Sequence, residues 1–140
     1  MTSFLLDTNI LIDLVVGTRP KSEDSRNLLR DMLRSECEFH CLGSSLKDVY
    51  CICRRAFKSE RDLRKAVRWL RDITNPLDLK LAFIDGALVS DEPNLEDSIV
   101  RAAAEVCRFD LIVTHDEGAF RSSSVPAVSA REARRLLRGE

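Results

Sequence analysis

The sequence predicts a single α/β domain in which helices cover both faces of a central, mainly parallel sheet of four or five strands. Short apolar segments rich in β-branched residues alternate along the chain with amphipathic segments of helical period. Of the 140 residues, 44% are hydrophobic, which is enough for one buried core. Because no linker, repeat or low-complexity segment interrupts the pattern, residues 1–140 are expected to form one domain.

The first half of the chain is predicted to contain two strands and four helices. Gly17 ends the first helix, and Pro20 lies in the turn that follows. Ser59 and Asp62 form a capping box that starts the fourth helix, and Pro76 ends it. The elements in order are a strand at 4–7, helices at 10–16 and 22–35, a strand at 38–42, a helix at 45–57 and a helix that begins at 59.

The second half is predicted to continue the alternation with three strands and two helices. The helix at 95–107 carries small alanine side chains that allow close packing on a sheet. Pro126 is typical of an edge strand, and Ser129 with Glu132 forms a capping box for the last helix. The elements in order are a strand at 79–84, a connection at 86–93, the helix at 95–107, a strand at 110–114, an edge strand at 125–128 and the final helix.

Four aspartates adjoin these elements and form the candidate site: Asp7, Asp48, Asp97 and Asp116. Asp7 ends the first strand and Asp116 follows the strand at 110–114, so both are expected at the carboxyl edge of the parallel sheet. Carboxylates that gather at one place repel each other unless a cation joins them. The sequence therefore predicts a divalent-metal site with Asp7, Asp97 and Asp116 as ligands and Asp48 completing the acidic group.

The type of ligand indicates the metal. Carboxylate oxygens suit hard cations, which favours Mg²⁺ or Mn²⁺. Asn9, through its amide oxygen, and Thr114, through its hydroxyl, are expected to support the site.

Each aspartate also has an ordinary structural interpretation. Asp7 could cap the helix that follows it, and Asp116 could form a turn. Asp48 lies three residues after Ser45, and Asp97 three after Asn94, as in capping boxes. Their occurrence together favours the functional interpretation, least strongly for Asp48.

Charge and composition narrow the function further. The net charge is −1, so no overall field attracts a polyanion, and only 6% of residues are aromatic, which disfavours binding by base stacking. Two arginine-rich helix faces are expected to be solvated, or alternatively to contact phosphates or an acidic partner segment. Their residues are Arg61, Arg64, Lys65, Arg68 and Arg71 in the first, and Arg131, Arg134, Arg135 and Arg138 in the second.

The expected location is the cytoplasm, without a membrane association. No apolar stretch approaches the roughly 20 residues of a membrane span, and the chain starts with a strand pattern rather than a signal peptide. The five cysteines are odd in number and lie in apolar surroundings, which indicates reduced thiols.

Several segments together resemble the PIN-domain family, in particular the small ribonucleases that serve as toxins in bacterial toxin–antitoxin pairs. The resemblance covers nearly the whole chain. It lies in Leu5-Leu6-Asp7-Thr8-Asn9-Ile10-Leu11-Ile12-Asp13, Ser44-Ser45-Leu46-Lys47-Asp48-Val49-Tyr50, Glu96-Asp97-Ser98-Ile99, Val113-Thr114-His115-Asp116 with Phe120, and Val125-Pro126-Ala127-Val128-Ser129. Asp48 stands where most such toxins have Glu, and His115 where many have Asn.

The resemblance implies a PIN-like three-layer α/β/α sandwich and an endoribonuclease that depends on Mg²⁺ or Mn²⁺ and hydrolyses RNA. It also implies a cognate antitoxin as partner and a homodimer, for which the helices at 10–16 and 22–35 are expected to supply an apolar patch.

Two alternatives belong to other classes of function. One is a binding or regulatory module of the same fold with weakened catalysis. The other is a phosphotransferase with Asp7 as nucleophile, which is disfavoured because Asn9 stands where that chemistry needs a second Asp.

Overall fold

The sheet has five strands, all parallel, in a computed structural model of the protein that describes residues 2–140. The strands are β1 (Thr2–Leu6), β2 (Cys37–Leu42), β3 (Asn75–Leu77), β4 (Leu111–Val113) and β5 (Ala127–Val128). Their spatial order is β3-β2-β1-β4-β5. The chain therefore moves outward from β1 in one direction and then returns to add β4 on the other side of β1. The topological switch point lies between β1 and β4, where open α/β sheets bind their ligands.

Helices cover both faces of this sheet, which confirms the predicted α/β/α sandwich. They are α1 (Thr8–Val15), α2 (Ser22–Arg34), α3 (Gly43–Ile52), α4 (Glu60–Ile73), α5 (Leu81–Leu88), α6 (Leu95–Val106) and α7 (Ala130–Leu137). Phe4 and Leu6 of β1 pack against α1, α2, α3, α4 and α7, whereas Leu5 packs against α5 and α6. This alternation follows from the two-residue period of a strand that is buried on both faces.

The predicted strand at 79–84 is wrong, because this segment enters α5 and the edge strand β3 lies just before it. The sequence predicts that Pro76 ends a helix, but this residue lies within β3, opposite Cys41 of β2. An edge strand tolerates proline, since one side of its backbone has no partner strand. In α5, Phe83 and Ala87 are buried four residues apart, which is a helical and not a strand spacing.

Helix α3 also begins earlier than predicted. It starts at Gly43, with Leu42 as its N-cap, and it ends at Ile52 rather than at 57. Ser45 therefore lies inside the helix, and the predicted capping box of Ser45 and Asp48 is wrong.

The apolar patch predicted on α1 and α2 is wrong as well. Ile10, Leu11 and Ile12 of α1 are at most 2% exposed, because α1 is packed inside the monomer. α2 exposes one large apolar side chain, Leu33, whereas half of those exposed in residues 2–140 lie on and around α5: Leu79, Leu81, Leu88, Val89 and Leu95.

Paired substitutions in α5 test the helical assignment. Phe83 is fully buried and Leu81 is 69% exposed, although two residues of a strand at this spacing would share one face. We expect Phe83→Ala to lower the free energy of unfolding by about 3–5 kcal/mol, because it leaves a cavity. Leu81→Ala should change it by less than about 0.5 kcal/mol. Urea denaturation measures both, and similar losses for the two variants would contradict the helix.

Candidate functional site

A cavity of about 390 Å³ opens at the carboxyl edge of the sheet, beside the end of β1. Its polar lining comes from the N-terminal halves of α1, α3 and α6 and the N-cap of α1: Asp7, Thr8, Asn9, Ser44, Ser45, Asp48, Glu96 and Asp97. Three of the four predicted aspartates thus line one cavity. The fourth, Asp116, does not line it but lies close enough to act on its charges.

Asp7 is the most buried of these aspartates, with 9% of its surface exposed. Its carboxylate accepts hydrogen bonds from the Thr8 backbone N–H at 2.9 Å and from the Thr114 hydroxyl at 2.8 Å. The first bond makes Asp7 the N-cap of α1, which confirms the structural interpretation of this residue. Burial raises the pKa of Asp7, while the bonds from Thr114 and Thr8 oppose that rise.

Asp97 lies in the first turn of α6 and is half-buried. The N-cap Asn94 accepts a hydrogen bond from the backbone N–H of Asp97 at 3.2 Å, so the cap uses the backbone of Asp97 and not its carboxylate. Burial raises the pKa of Asp97 to about 6, with further contributions from the negative charges of Asp7 and Asp116. Two neighbouring glutamates, Glu96 and Glu92, act in the same direction.

Asp116 is exposed and begins the 3-10 turn at Glu117–Phe120. It accepts a hydrogen bond from the Ala119 backbone N–H at 3.3 Å, as a turn-forming aspartate does. Its own backbone N–H donates to the Thr114 hydroxyl oxygen at 3.1 Å. Thr114 therefore links Asp7 to Asp116. The charge of Asp116 raises the pKa of both Asp7 and Asp97, so the three aspartates form one electrostatic unit.

Asp48 and Asn9 occupy other parts of the lining. Asp48 lies in the second turn of α3, half-buried and too far along the helix to cap it. Ser45, one turn earlier, accepts a hydrogen bond from the Thr8 hydroxyl at 2.9 Å, which ties α3 to the start of α1. Asn9 is exposed, and its amide oxygen accepts a hydrogen bond from Arg19 at 3.3 Å.

The donor atoms of this cavity suit a hard divalent cation better than any other group. They are carboxylate, amide and hydroxyl oxygens, and the mutual repulsion of the carboxylates would be relieved by a positive ion. As they stand, no three acidic, histidine or cysteine side chains within residues 2–140 could together hold one metal ion. Mg²⁺ retains several water ligands and binds through one or two carboxylates, so a closed protein cage is not required.

Sequence reasoning missed Asp13, which lies on α1 with only 1% of its surface exposed. It is bound by Arg19 and Ser25 and is in contact with His115. The signal was a lone charged residue within the apolar run of α1, where a polar group is expensive to bury.

The two arginine-rich faces differ in the structure. The arginines of α7 bind acidic residues: Arg131 pairs with Asp24, Arg134 and Arg138 with Asp31, and Arg135 with Glu132. The pairs with Asp24 and Asp31 connect α7 to α2, and the four pairs together neutralise most of the charge of α7. On α4, Arg61, Arg64, Lys65 and Arg68 line a shallow cleft together with the single acid Glu60. The α4 face is therefore the more strongly positive of the two.

Comparisons with known sequences and structures agree on the fold of the chain. A sequence model of the PIN domain matches residues 3–118. No curated protein sequence matches the chain with significance. Of the described residues, 2–140, none belongs to a helix long and apolar enough to cross a membrane.

Three solved structures illustrate the structural similarity. A toxin–antitoxin complex from Klebsiella pneumoniae has a TM-score of 0.66 at 18% identity, covering 90% of this chain and 96% of that one. VapBC2 from Rickettsia felis, bound to a DNA fragment from its promoter, has a TM-score of 0.68 at 10% identity, covering 91% and 98%. The Mycobacterium tuberculosis VapC20, a toxin that cleaves the sarcin–ricin loop, has a TM-score of 0.62 at 12% identity, covering 78% and 86%.

The raised pKa of Asp97 makes the stability of the metal-free protein depend on pH. The folded protein holds a proton up to about pH 6, whereas the unfolded chain releases it near 3.8. The preference of the folded protein for protonated Asp97 therefore contributes fully to its stability below about pH 3.8. This contribution is lost as the pH rises through about 6. Asp97→Asn should remove this dependence, so that the variant melts at a higher temperature than the wild type at about pH 7 in a chelator, and the difference should shrink toward about pH 4.

Thermal unfolding followed by circular dichroism checks this expectation. Asp85→Asn, at an exposed position of α5, is the matched control and should not reproduce the effect. A difference that grows toward low pH would contradict the assigned direction of the shift.

Proposed function

Since this chain belongs to the PIN-domain family, we propose that it is a metal-dependent endoribonuclease and the toxin of a toxin–antitoxin pair. The observation that carries this proposal is the shared charge of Asp7, Asp97 and Asp116 at the switch point between β1 and β4. Such a group is costly for folding and useful for binding a cation. We therefore assign it to chemistry.

The choice of RNA as substrate draws on the structural relatives. VapC20 is a toxin that cleaves the sarcin–ricin loop, and the Klebsiella pneumoniae relative is a toxin–antitoxin complex. The similarity extends over most of each chain, so the same type of substrate and partner is proposed here.

In the proposed reaction, Asp7, Asp97 and Asp116 would hold Mg²⁺ or Mn²⁺, directly or through water. When bound, the ion lowers the pKa of a water molecule and stabilises charge on the phosphate. Asp7 is oriented for this role by its bonds from Thr8 and Thr114. Burial in the cavity strengthens every electrostatic contact made there, because the local dielectric constant is low.

Asp48 and Asn9 act from the walls of the same cavity. Asp48 has no capping role, so its carboxylate is available to complete the acidic group or to accept a proton from a bound water. The amide of Asn9 is exposed and can hydrogen-bond a phosphate oxygen beside the reacting one.

The antitoxin and the second copy of the chain are proposed to bind two separate surfaces. The positive face of α4 borders a groove lined by Leu46, Tyr50 and Val67, which fits an antitoxin segment with apolar and acidic residues. The exposed apolar side chains of α5, including Leu81 and Leu88 two helical turns apart, fit a homodimer contact. All five cysteines are free thiols, in keeping with a cytoplasmic protein.

The first test is the metal requirement. Purified protein should cleave a mixed RNA pool with Mg²⁺ or Mn²⁺ and stop when a chelator is added. Asp7→Asn and Asp97→Asn should each lower the cleavage rate at least ~10²-fold, because each removes charge at the metal. Asp85→Asn is the matched control, and gel electrophoresis of the RNA gives the rates.

Two results would redirect the proposal. Undiminished cleavage in excess chelator would exclude the metal mechanism. A folded protein that cleaves no RNA with either ion would instead be the binding module, which shares the fold without the chemistry.

The second test concerns Asp48. Because it does not cap α3, Asp48→Ala should reduce cleavage without the loss of about 0.5–2 kcal/mol in stability that follows removal of a cap. Asp48→Glu should retain activity, since it keeps the carboxylate and extends it by one methylene. Cleavage rates and urea denaturation of the three proteins measure the two effects. Normal turnover in Asp48→Ala would remove Asp48 from the site.

A further inference from the structure

The buried carboxylate of Asp13 takes no part in the site proposed above. Only 1% of its side chain is exposed. It accepts hydrogen bonds from Arg19 Nε at 2.7 Å and from the Ser25 hydroxyl at 2.7 Å, and its second oxygen is also in contact with His115 Nε2. Buried ion pairs of this kind add little to stability compared with apolar residues of the same volume. A role in orienting its partners is the alternative explanation.

Asp13 fixes the guanidinium of Arg19 in one orientation. Nε is bound to Asp13, and one terminal nitrogen donates to the amide oxygen of Asn9 at 3.3 Å. The side chain of Arg19 is still 32% exposed. Since a guanidinium carries five N–H donors, Arg19 keeps donors for a ligand in the cleft beside it. A guanidinium that is already immobilised loses little conformational entropy when it binds an anion.

The position of Arg19 connects it to the acidic cavity. Asn9, which binds Arg19, lines both that cavity and a neighbouring cleft of about 260 Å³. The cleft is lined by Asn9, Asp13, Arg19, Pro20, Lys21 and His115. Lys21 and His115 also line a second cleft of similar size that extends to Arg131 of α7. Arg19, His115 and Lys21 therefore follow one another from the edge of the acidic cavity outward, and Arg131 beyond them is paired with Asp24.

A nuclease with an acidic cavity needs positive charge next to it. The net charge of the chain is −1, so its overall field does not attract RNA. A bound cation neutralises the phosphate at the cavity but not the phosphates that flank it. An arginine fixed beside the cavity suits a flanking phosphate, because its planar fork matches two phosphate oxygens.

We propose that Arg19 binds a backbone phosphate adjacent to the one cleaved, and that Asp13 is the positioning residue that holds Arg19 there. The inference rests on the proposed function, since it assigns a substrate contact to that site. His115 contacts the Asp13 carboxylate and precedes Asp116 in the sequence. It lines the same two clefts as Lys21, so the proposed RNA-binding surface extends from Arg19 toward Lys21.

The purely structural alternative is that Asp13 and Arg19 only fasten the turn at 16–21 to α1 and α2. That role would change stability but not the salt dependence of RNA binding. Each phosphate contact contributes about −0.7 to the slope of log affinity against log salt for a single strand, so the slope separates the two roles.

The experiment measures binding of a fluorescent single-stranded RNA by anisotropy between ~50 and ~200 mM salt, with Ca²⁺ replacing Mg²⁺ and the RNA checked for integrity. Arg19→Ala should weaken binding and reduce the magnitude of the slope by about 0.7, the loss of one phosphate contact. Arg19→Lys should restore the slope and only part of the affinity, because it returns the charge without the fork.

Arg135→Ala is the matched control. Arg135 is bound to Glu132 by two hydrogen bonds but lines neither of the clefts that contain His115. Its substitution should leave both affinity and slope as in the wild type.

The positioning role of Asp13 is tested in a double-mutant cycle. Asp13→Asn should weaken RNA binding in the wild type but cause no further loss in the Arg19→Ala background, because it acts through Arg19. A merely structural Asp13 would lower affinity by the same factor in both backgrounds. If Asp13→Asn does not fold, Ser25→Ala, which removes one partner of Asp13, takes its place in the cycle.

The outcomes for this inference and for the proposed function can be separated. The phosphate contact would be overturned if Arg19→Ala and Arg135→Ala gave the same slope of log affinity against log salt. It would also be overturned if the wild-type protein bound no RNA. Cleavage assays with Mg²⁺ decide the nuclease independently. RNA binding that depends on Arg19 without any cleavage would support the contact and contradict the nuclease.

Discussion

The burial of carboxylates close to one another at the carboxyl edge of the sheet is the constraint on which the candidate site depends. Each carboxylate lies at the start of a helix or turn: Asp7 caps α1, Asp97 lies in the first turn of α6, and Asp116 begins the 3-10 turn that follows β4. Backbone N–H groups at such positions favour negative charge. The fold therefore offsets part of the repulsion locally, yet burial, with the charges of Asp7 and Asp116 added to it, still raises the pKa of Asp97 to about 6, so the compensation is incomplete.

The strand order is what brings these groups together. β1 and β4 are neighbours although more than a hundred residues separate Asp7 from Thr114, whose hydroxyl binds the Asp7 carboxylate. The backbone N–H of Asp7 also donates to the carbonyl of Val113 at 2.9 Å, which extends the sheet by one bond beyond β1. Any change that shifts β4 relative to β1 would therefore move Asp7 and Asp116 apart, because both follow directly from these strands.

The alternation of strands and helices and the placement of Asp7, Asp97 and Asp116 could be predicted because they depend on local signals, namely strand ends, caps and periodicity. The failures arose where tertiary packing decides. Pro76 looked like a helix stop, but an edge position makes its missing N–H harmless, so it pairs with β2. Ser45 had a capping pattern, yet α3 starts two residues earlier, directly after β2. The role of Asp13 cannot be predicted from the sequence, because its partners, Arg19, Ser25 and His115, become neighbours only in the folded chain.

Positive charge is distributed in a way that suits a polyanion approaching one side of the cavity. The arginines of α7 are paired with acidic residues of α2 and with Glu132, so most of their charge is neutralised. Arg19 is also engaged, but with a buried carboxylate that leaves it one-third exposed at the edge of the acidic site. The same type of ion pair thus has two different consequences. On the surface it neutralises a helix face, whereas at Asp13 it fixes the guanidinium of Arg19 at the edge of the acidic cavity, where the proposed phosphate contact would be made.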